Sequence, residues 1–180
     1  MATMAQKPQT RSLPQEFEQM FRKHHELVYR AAYRVTGNAE DAEDVLQTLF
    51  LRLLRQECPP QFETSPKAYL HRAAINIALD ILKSKSRNVS TDEVESYIED
   101  GRPSPDRQRG ASEIQNWLRT ALAELNPRTA EMFVLRHIEG YRNAEIAKMM
   151  GTSRGTVAVM LFRARLRLQK SIRKHLGEIV

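Results

Sequence analysis

The sequence predicts an all-α protein of two small helical domains joined by a flexible linker. Three observations carry this. Apolar residues recur at helical spacing along most of the chain. Only 7 Gly and 8 Pro are present, too few for a loop-rich β fold. Between about Ser84 and Ser112 the periodicity gives way to Ser, Asp, Glu, Arg and a Pro103-Ser104-Pro105 turn.

Residues 1–12 read as a polar, disordered lead-in. A first helix spans Pro14 to Val35, with Phe17, Met20, Phe21, Val28, Ala31 and Val35 at core spacing, and Gly37-Asn38 stops it. A second helix opens in the acidic run Glu40–Asp44, where carboxylates face the positive end of the helix dipole. Its stripe is Ala42, Val45, Leu46, Leu49 and Leu53, and Cys58-Pro59-Pro60 ends it. Ser65-Pro66 supplies an N-cap and a first-turn proline for a third helix. Leu70, Ala73, Ala74, Ile77 and Ile81 form its core face, and helicity fades near Arg87. The first domain is thus placed at 13–87 and the linker at 88–111, with a short helical turn at Val94–Ile98.

The second domain, 112–176, restarts with Ile114, Trp117, Leu118, Ala121, Leu122 and Leu125, then turns at Asn126-Pro127. Ala130, Phe133, Val134 and Ile138 follow, and Gly140 stops that segment. A short helix from Asn143 to Met150, a turn at Gly151-Thr152-Ser153 and a basic helix to about Lys174 fit a helix-turn-helix. Ile146 and Met150 face inward, Ala147 is small at the crossing, and Gly151 suits a left-handed turn. Val157, Met160, Leu161, Ala164 and Leu168 share one face of the last helix, while Arg163, Arg167, Lys170 and Lys174 line another.

Net charge is +6, concentrated at one end. From Pro127 to Val180 there are 11 Lys/Arg against 4 Asp/Glu, a net of +7, and the remainder carries −1. A basic helix starting at a tight turn suits entry into a major groove, with later cations neutralising phosphates; charge alone fits a solvated surface equally well. On the third helix Tyr69, Arg72, Asn76, Lys83 and Arg87 share a polar face. A ring, cations and an amide there suit single-stranded nucleic acid, although Asp80 lies among them and such a face is also ordinary surface.

Enzymatic classes find little support. His24, His25, His71, His137 and His175 are scattered without metal-type spacing, and the sequence has no Gly-rich phosphate loop or nucleophile elbow. No metal, cofactor or small-molecule substrate is expected. One cysteine, Cys58, and no apolar leader or membrane-length run point to a cytoplasmic protein.

Two stretches together resemble the extracytoplasmic-function group of the sigma-70 family. The first is Asp41-Ala-Glu-Asp-Val-Leu-Gln-Thr-Leu-Phe-Leu-Arg-Leu-Leu54, continued by Ala68-Tyr-Leu-His-Arg-Ala-Ala-Ile-Asn76-Ile-Ala-Leu-Asp80. The second comprises Leu125-Asn-Pro-Arg128, Phe133-Val-Leu-Arg-His-Ile-Glu-Gly140, Glu145-Ile-Ala147, Gly155-Thr-Val157 and Arg163-Ala-Arg165. The resemblance implies a subunit that directs bacterial core RNA polymerase to promoters and performs no chemistry itself. Asp41, Asp44, Gln47, Phe50 and Leu51 would dock on the polymerase clamp. The Tyr69, Arg72, Asn76, Lys83 and Arg87 face would take the melted minus-10 strand, with Asn76 holding a flipped base. Ser153, Arg154, Gly155, Thr156, Ala158, Val159, Phe162 and Arg163 would meet the minus-35 duplex, with Arg167 beyond them on phosphate.

The resemblance also implies an anti-sigma factor as a regulatory partner. Two positions depart from the family pattern. Tyr69 stands where many members have tryptophan, and Ala158-Val159-Met160 replaces frequent Arg, Lys or Ser. Ala158 and Val159 are therefore expected to touch thymine methyls, with DNA shape supplying the rest. The apolar strip of Val159, Phe162 and Leu166 fits a protein partner as well. A stand-alone helix-turn-helix regulator is the alternative; it leaves the first domain without a role.

Overall fold

The computed structural model describes residues 13–55, 65–89 and 107–178. The expected N-terminal lead-in, the Cys58-Pro59-Pro60 stop, the Val94–Ile98 turn and most of the linker lie outside them. Among the described residues seven helices follow in order: α1 (Leu13–Thr36), α2 (Ala39–Arg55), α3 (Pro66–Val89), α4 (Arg107–Ala123), α5 (Pro127–His137), α6 (Asn143–Met149) and α7 (Arg154–Glu178).

Local chemistry sets the boundaries. Gly37 (φ +65°) closes α1, its N–H donating to the Tyr33 carbonyl at 2.7 Å. Asn38 Oδ1 accepts from the Asp41 N–H at 3.0 Å and so caps α2. Ser65 Oγ accepts from the Ala68 N–H at 3.3 Å, the N-cap that Ser65-Pro66 predicted. Asn126 Oδ1 accepts from the Arg128 N–H, with Pro127 opening α5. Three boundaries differ from expectation: α3 runs on to Val89 and α7 to Glu178, and α4 starts at Arg107, well inside the stretch read as linker. Arg107-Gln-Arg-Gly-Ala-Ser carries no apolar stripe, so periodicity could not find that first turn.

α1, α2 and α3 pack as one bundle, and α4, α5, α6 and α7 as a second. Val28, Ala31, Val35, Ala42, Val45, Leu49, Leu70, Ala74 and Ile77 are buried in the first, as their spacing required. Leu122, Leu125, Ala130, Val134, Ile146, Val157 and Ala164 fill the second.

The two lobes share one continuous core, because α3 also packs against α4 and α5. Beyond its predicted stripe, α3 buries His71, Ile75, Ala78, Leu79 and Leu82. A helix apolar on two sides belongs between two layers. From Ala73 to Leu82 only Asn76 and Asp80 are polar, so that signal was present in the sequence. The polar face left on α3 carries Tyr69, Arg72, Asn76, Lys83 and Arg87, with the exposed Asp80 among them.

Candidate nucleic-acid and partner interfaces

Three surfaces gather the residues singled out by sequence. The first is on α2, where Asp44, Gln47 and Leu51 are exposed on one face, Leu51 to 49%. Leu54, also exposed, extends it as an apolar edge. A groove bounded by His25, Tyr29, Arg30, Glu43, Leu46 and Gln47 runs alongside, between α1 and α2.

Two residues expected on this surface sit elsewhere. Phe50 is 4% exposed and turns into the bundle, edge-on to Phe21 at 4.9 Å and to Phe17 at 5.9 Å between ring centroids. Asp41 is buried and holds Lys85 of α3 through both carboxylate oxygens. Both lie at the edges of the outer strip on a helical wheel, where packing of α1 and α3 captured them. They shape the α2 surface from beneath and do not face outward.

The second surface is the α3 strip. Tyr69, Arg72, Asn76 and Lys83 are half-buried and Arg87 is exposed. Arg72 is not turned to solvent. Its Nε donates to Glu131 Oε1 at 2.7 Å and its NH1 to the Met149 carbonyl at 2.6 Å.

A second cluster lies next to it. Glu139 Oε2 accepts from Arg34 at 2.9 Å and from His71 Nε2 at 3.0 Å, and His71 Nδ1 lies 3.2 Å from the Tyr141 hydroxyl. Burial pushes the Glu139 carboxyl up, but the hydrogen bond and charge of His71, with Arg34, outweigh it and hold it below its ordinary value. Burial, with nearby Glu139 and Glu145, raises the Tyr141 hydroxyl.

The third surface is the helix-turn-helix. α6 ends in a Schellman turn: Gly151 takes φ +58°, and the Thr152 N–H reaches the Ala147 carbonyl at 2.9 Å. The Arg142 N–H donates to Glu145 Oε2 at 2.7 Å and secures the start of α6. Ser153 Oγ accepts from the Thr156 N–H at 3.0 Å and starts α7. Ile146 and Val157 are fully buried where α6 meets α7.

That arrangement leaves Ser153, Arg154, Gly155, Thr156, Ala158, Val159, Phe162, Arg163 and Arg167 all exposed. Val159, Phe162 and Leu166 are 49%, 61% and 50% exposed, an apolar strip flanked by Arg163 and Arg167. Farther along, Trp117 Nε1 donates to Ser171 Oγ at 3.2 Å and ties α7 to α4.

Sequence reasoning missed Lys85, Glu131, Glu139, Arg34 and Tyr141 as parts of these surfaces. Only Glu131 carried a signal, as an acid between Ala130 and Met132 on a face that is otherwise apolar.

The fold and its surfaces define a two-lobed helical protein that ends in a helix-turn-helix. The Sigma-70 region 2 family profile matches residues 20–88. The Sigma-70, region 4 profile matches residues 115–168. The chain is 34% identical over 169 residues to the ECF RNA polymerase sigma factor SigE of Mycolicibacterium smegmatis, covering 90% of this chain and 63% of that protein. Against the ECF RNA polymerase sigma factor SigM of Mycobacterium tuberculosis it is 30% identical over 154 residues, covering 86% of this chain and 76% of that one.

Among solved structures, RpoE of Bartonella quintana, in complex with the anti-sigma factor NepR, superposes with a TM-score of 0.51 at 21% identity. That match covers 88% of this chain and 98% of that one, and it shows a shared fold. The chain belongs to the ECF sigma factors of the sigma-70 family. Both lobes fall within that family, which a stand-alone helix-turn-helix regulator does not explain. No helix among the described residues is long and apolar enough to cross a membrane.

Proposed function

We propose that this chain works in the cytoplasm as a dissociable promoter-recognition subunit of bacterial RNA polymerase. The lobe of residues 13–87 docks on core polymerase through Asp44, Gln47 and Leu51, with Asp41 and Phe50 holding that helix in place. Its α3 strip takes the minus-10 strand once the duplex melts: Tyr69 stacks on a base, Arg72, Lys83 and Arg87 hold phosphates, and Asn76 reads a base edge. Trapping bases that have left the stack makes strand separation favourable without any bond being made or broken.

The lobe of residues 112–176 lays the start of α7 in the minus-35 major groove. Arg154, Arg163 and Arg167 engage phosphates there, and Ala158 and Val159 meet thymine methyls. The observation that carries this reading is the exposed, capped start of α7, set behind a first lobe whose α2 presents Leu51 among polar side chains. Bartonella quintana RpoE was solved bound to an anti-sigma factor, which supports a protein of that kind as the regulator here.

Run-off transcription with sigma-free core polymerase on a promoter library tests the proposal. Start-site-specific transcripts are expected only when this chain is added. Binding of the isolated chain to one duplex operator, with no transcription in the presence of core, would instead indicate a simple repressor or activator.

A further inference from the structure

The fold gives no reason for the acid on α3. Between Tyr69 and Lys83 every residue is buried or half-buried except Asp80, which is exposed. The helix is otherwise basic: it carries Lys67, Arg72, Lys83, Lys85 and Arg87, and Asp80 is its one acid. No hydrogen bond or ion pair among the described residues reaches the Asp80 carboxylate. Asp41, Glu131 and Glu139 on neighbouring elements each hold a cation. Aspartate away from a cap is a poor helix former, so Asp80 weakens α3 and gains no partner in return. Side chains that break a local rule in this way are expected at ligand sites.

Asp80 also works against the surface around it. A carboxylate repels phosphate, so it lowers the strand affinity assigned to Arg72, Lys83 and Arg87. Such a group is useful where it penalises wrong sequences more than right ones. An ionised carboxylate only accepts hydrogen bonds. Cytosine, adenine and guanine each offer an exocyclic amine to it, whereas thymine turns carbonyl oxygens toward it. Asn76 lies one turn earlier, about 6 Å along the helix axis, and its amide both donates and accepts. An amide alone suits several bases by turning over, and the carboxylate beside it removes that freedom.

We propose that Asp80 is a specificity-determining residue of the minus-10 surface. Its carboxylate accepts from the exocyclic amine of an unstacked cytosine, adenine or guanine and excludes thymine from that position. The inference rests on the assignment of α3 to the melted strand. The basic groups and Asn76 supply grip, and Asp80 supplies selection.

The test uses the full chain bound to core polymerase. Anisotropy gives the affinity for a fluorescent all-thymine strand, and sequencing of the bound fraction of a randomised single-stranded minus-10 pool gives the base preference. Because Asp80 is exposed, Asp80→Ala and Asp80→Asn should keep the wild-type melting temperature. Asp80→Ala is expected to bind the all-thymine strand about twofold or more tightly, while discrimination against thymine at one position of the pool falls at least about fivefold. Asp80→Asn can donate to a thymine carbonyl and should admit thymine at that same position. Lys83→Ala, the control, should weaken binding to all sequences alike.

A base preference unchanged at every position in both Asp80 variants overturns the proposal. Weaker binding of the all-thymine strand by Asp80→Ala overturns it too, since a repelling group cannot have been removed. In either case Lys83→Ala separates the two readings. If that variant weakens binding, the assignment of α3 to the strand stands without Asp80, and if affinity is unchanged the assignment falls as well.

Discussion

Lys85 Nζ lies 2.7 and 2.8 Å from the two carboxylate oxygens of Asp41, and this clamp joins the start of α2 to the last turns of α3. It fixes the roll of α2 and therefore the direction in which Asp44, Gln47 and Leu51 point. The Asp41 side chain is 9% exposed and that of Lys85 45%, so solvent screens part of the attraction. Asp41→Asn should lower unfolding free energy by about 1 kcal/mol, measured by urea titration. It should also weaken core polymerase binding, but less than a change on the outer face does. A polymerase defect larger than that of Leu51→Glu would place Asp41 itself in the contact.

Leu51 separates a binding role from a folding role. It is half-exposed on the outside of α2, so Leu51→Glu should leave thermal stability within about 0.5 kcal/mol of wild type. Affinity for core polymerase should fall more than tenfold, the scale for an apolar anchor at an interface. Equal affinity in a fluorescence titration would remove this face from the interface.

On α7, Arg167 and Val159 should fail differently. Arg167→Ala removes a proposed phosphate contact, so binding of the polymerase complex to all promoters should drop alike and its salt slope should shrink by about 1. Val159→Lys replaces the proposed contact with thymine methyls by a charge at the start of the helix, so promoter preference should change while general affinity holds. Unchanged preference across a minus-35 library would assign the strip of Val159, Phe162 and Leu166 to a protein partner.

Acid should unfold the protein in two steps with the same sign. Burial, with Lys23 and Lys67, lowers His24 from 6.5, so the unfolded chain takes up that proton first and stability is lost as pH falls below 6.5. Glu139 is held below 4.5, so its contribution is complete above 4.5 and vanishes as pH falls through its lowered value. His137 is lowered from 6.5 as well, by burial with Arg136 and Arg165, so in denaturation across that range His24→Gln should reduce the upper step and Glu139→Gln should flatten the lower. A Glu139→Gln profile that parallels wild type below 4.5 would show that the carboxylate adds no pH-dependent stability.

Much of this was legible before any coordinates. Ser65-Pro66, Asn126-Pro127, Gly37, Gly140 and Gly151 marked helix boundaries, because caps and left-handed turns are local chemistry written in single residues. Phe50 shows where that reading stops. On a wheel it borders the outer strip of α2, and only the arrival of Phe17 and Phe21 from α1 drew it inside.

The sequence by itself determined the helices of the described residues, apart from the first turn of α4, together with their turns and the exposed, basic start of α7, since each depends on neighbours within a few residues. Tertiary structure alone decided that the lobes share one core through α3, and that Glu131 and Glu139 meet Arg72, His71 and Arg34 across it. Those pairs lie 59, 68 and 105 residues apart in the chain. Helical periodicity shows which face of a helix is apolar and is silent about which distant face will cover it.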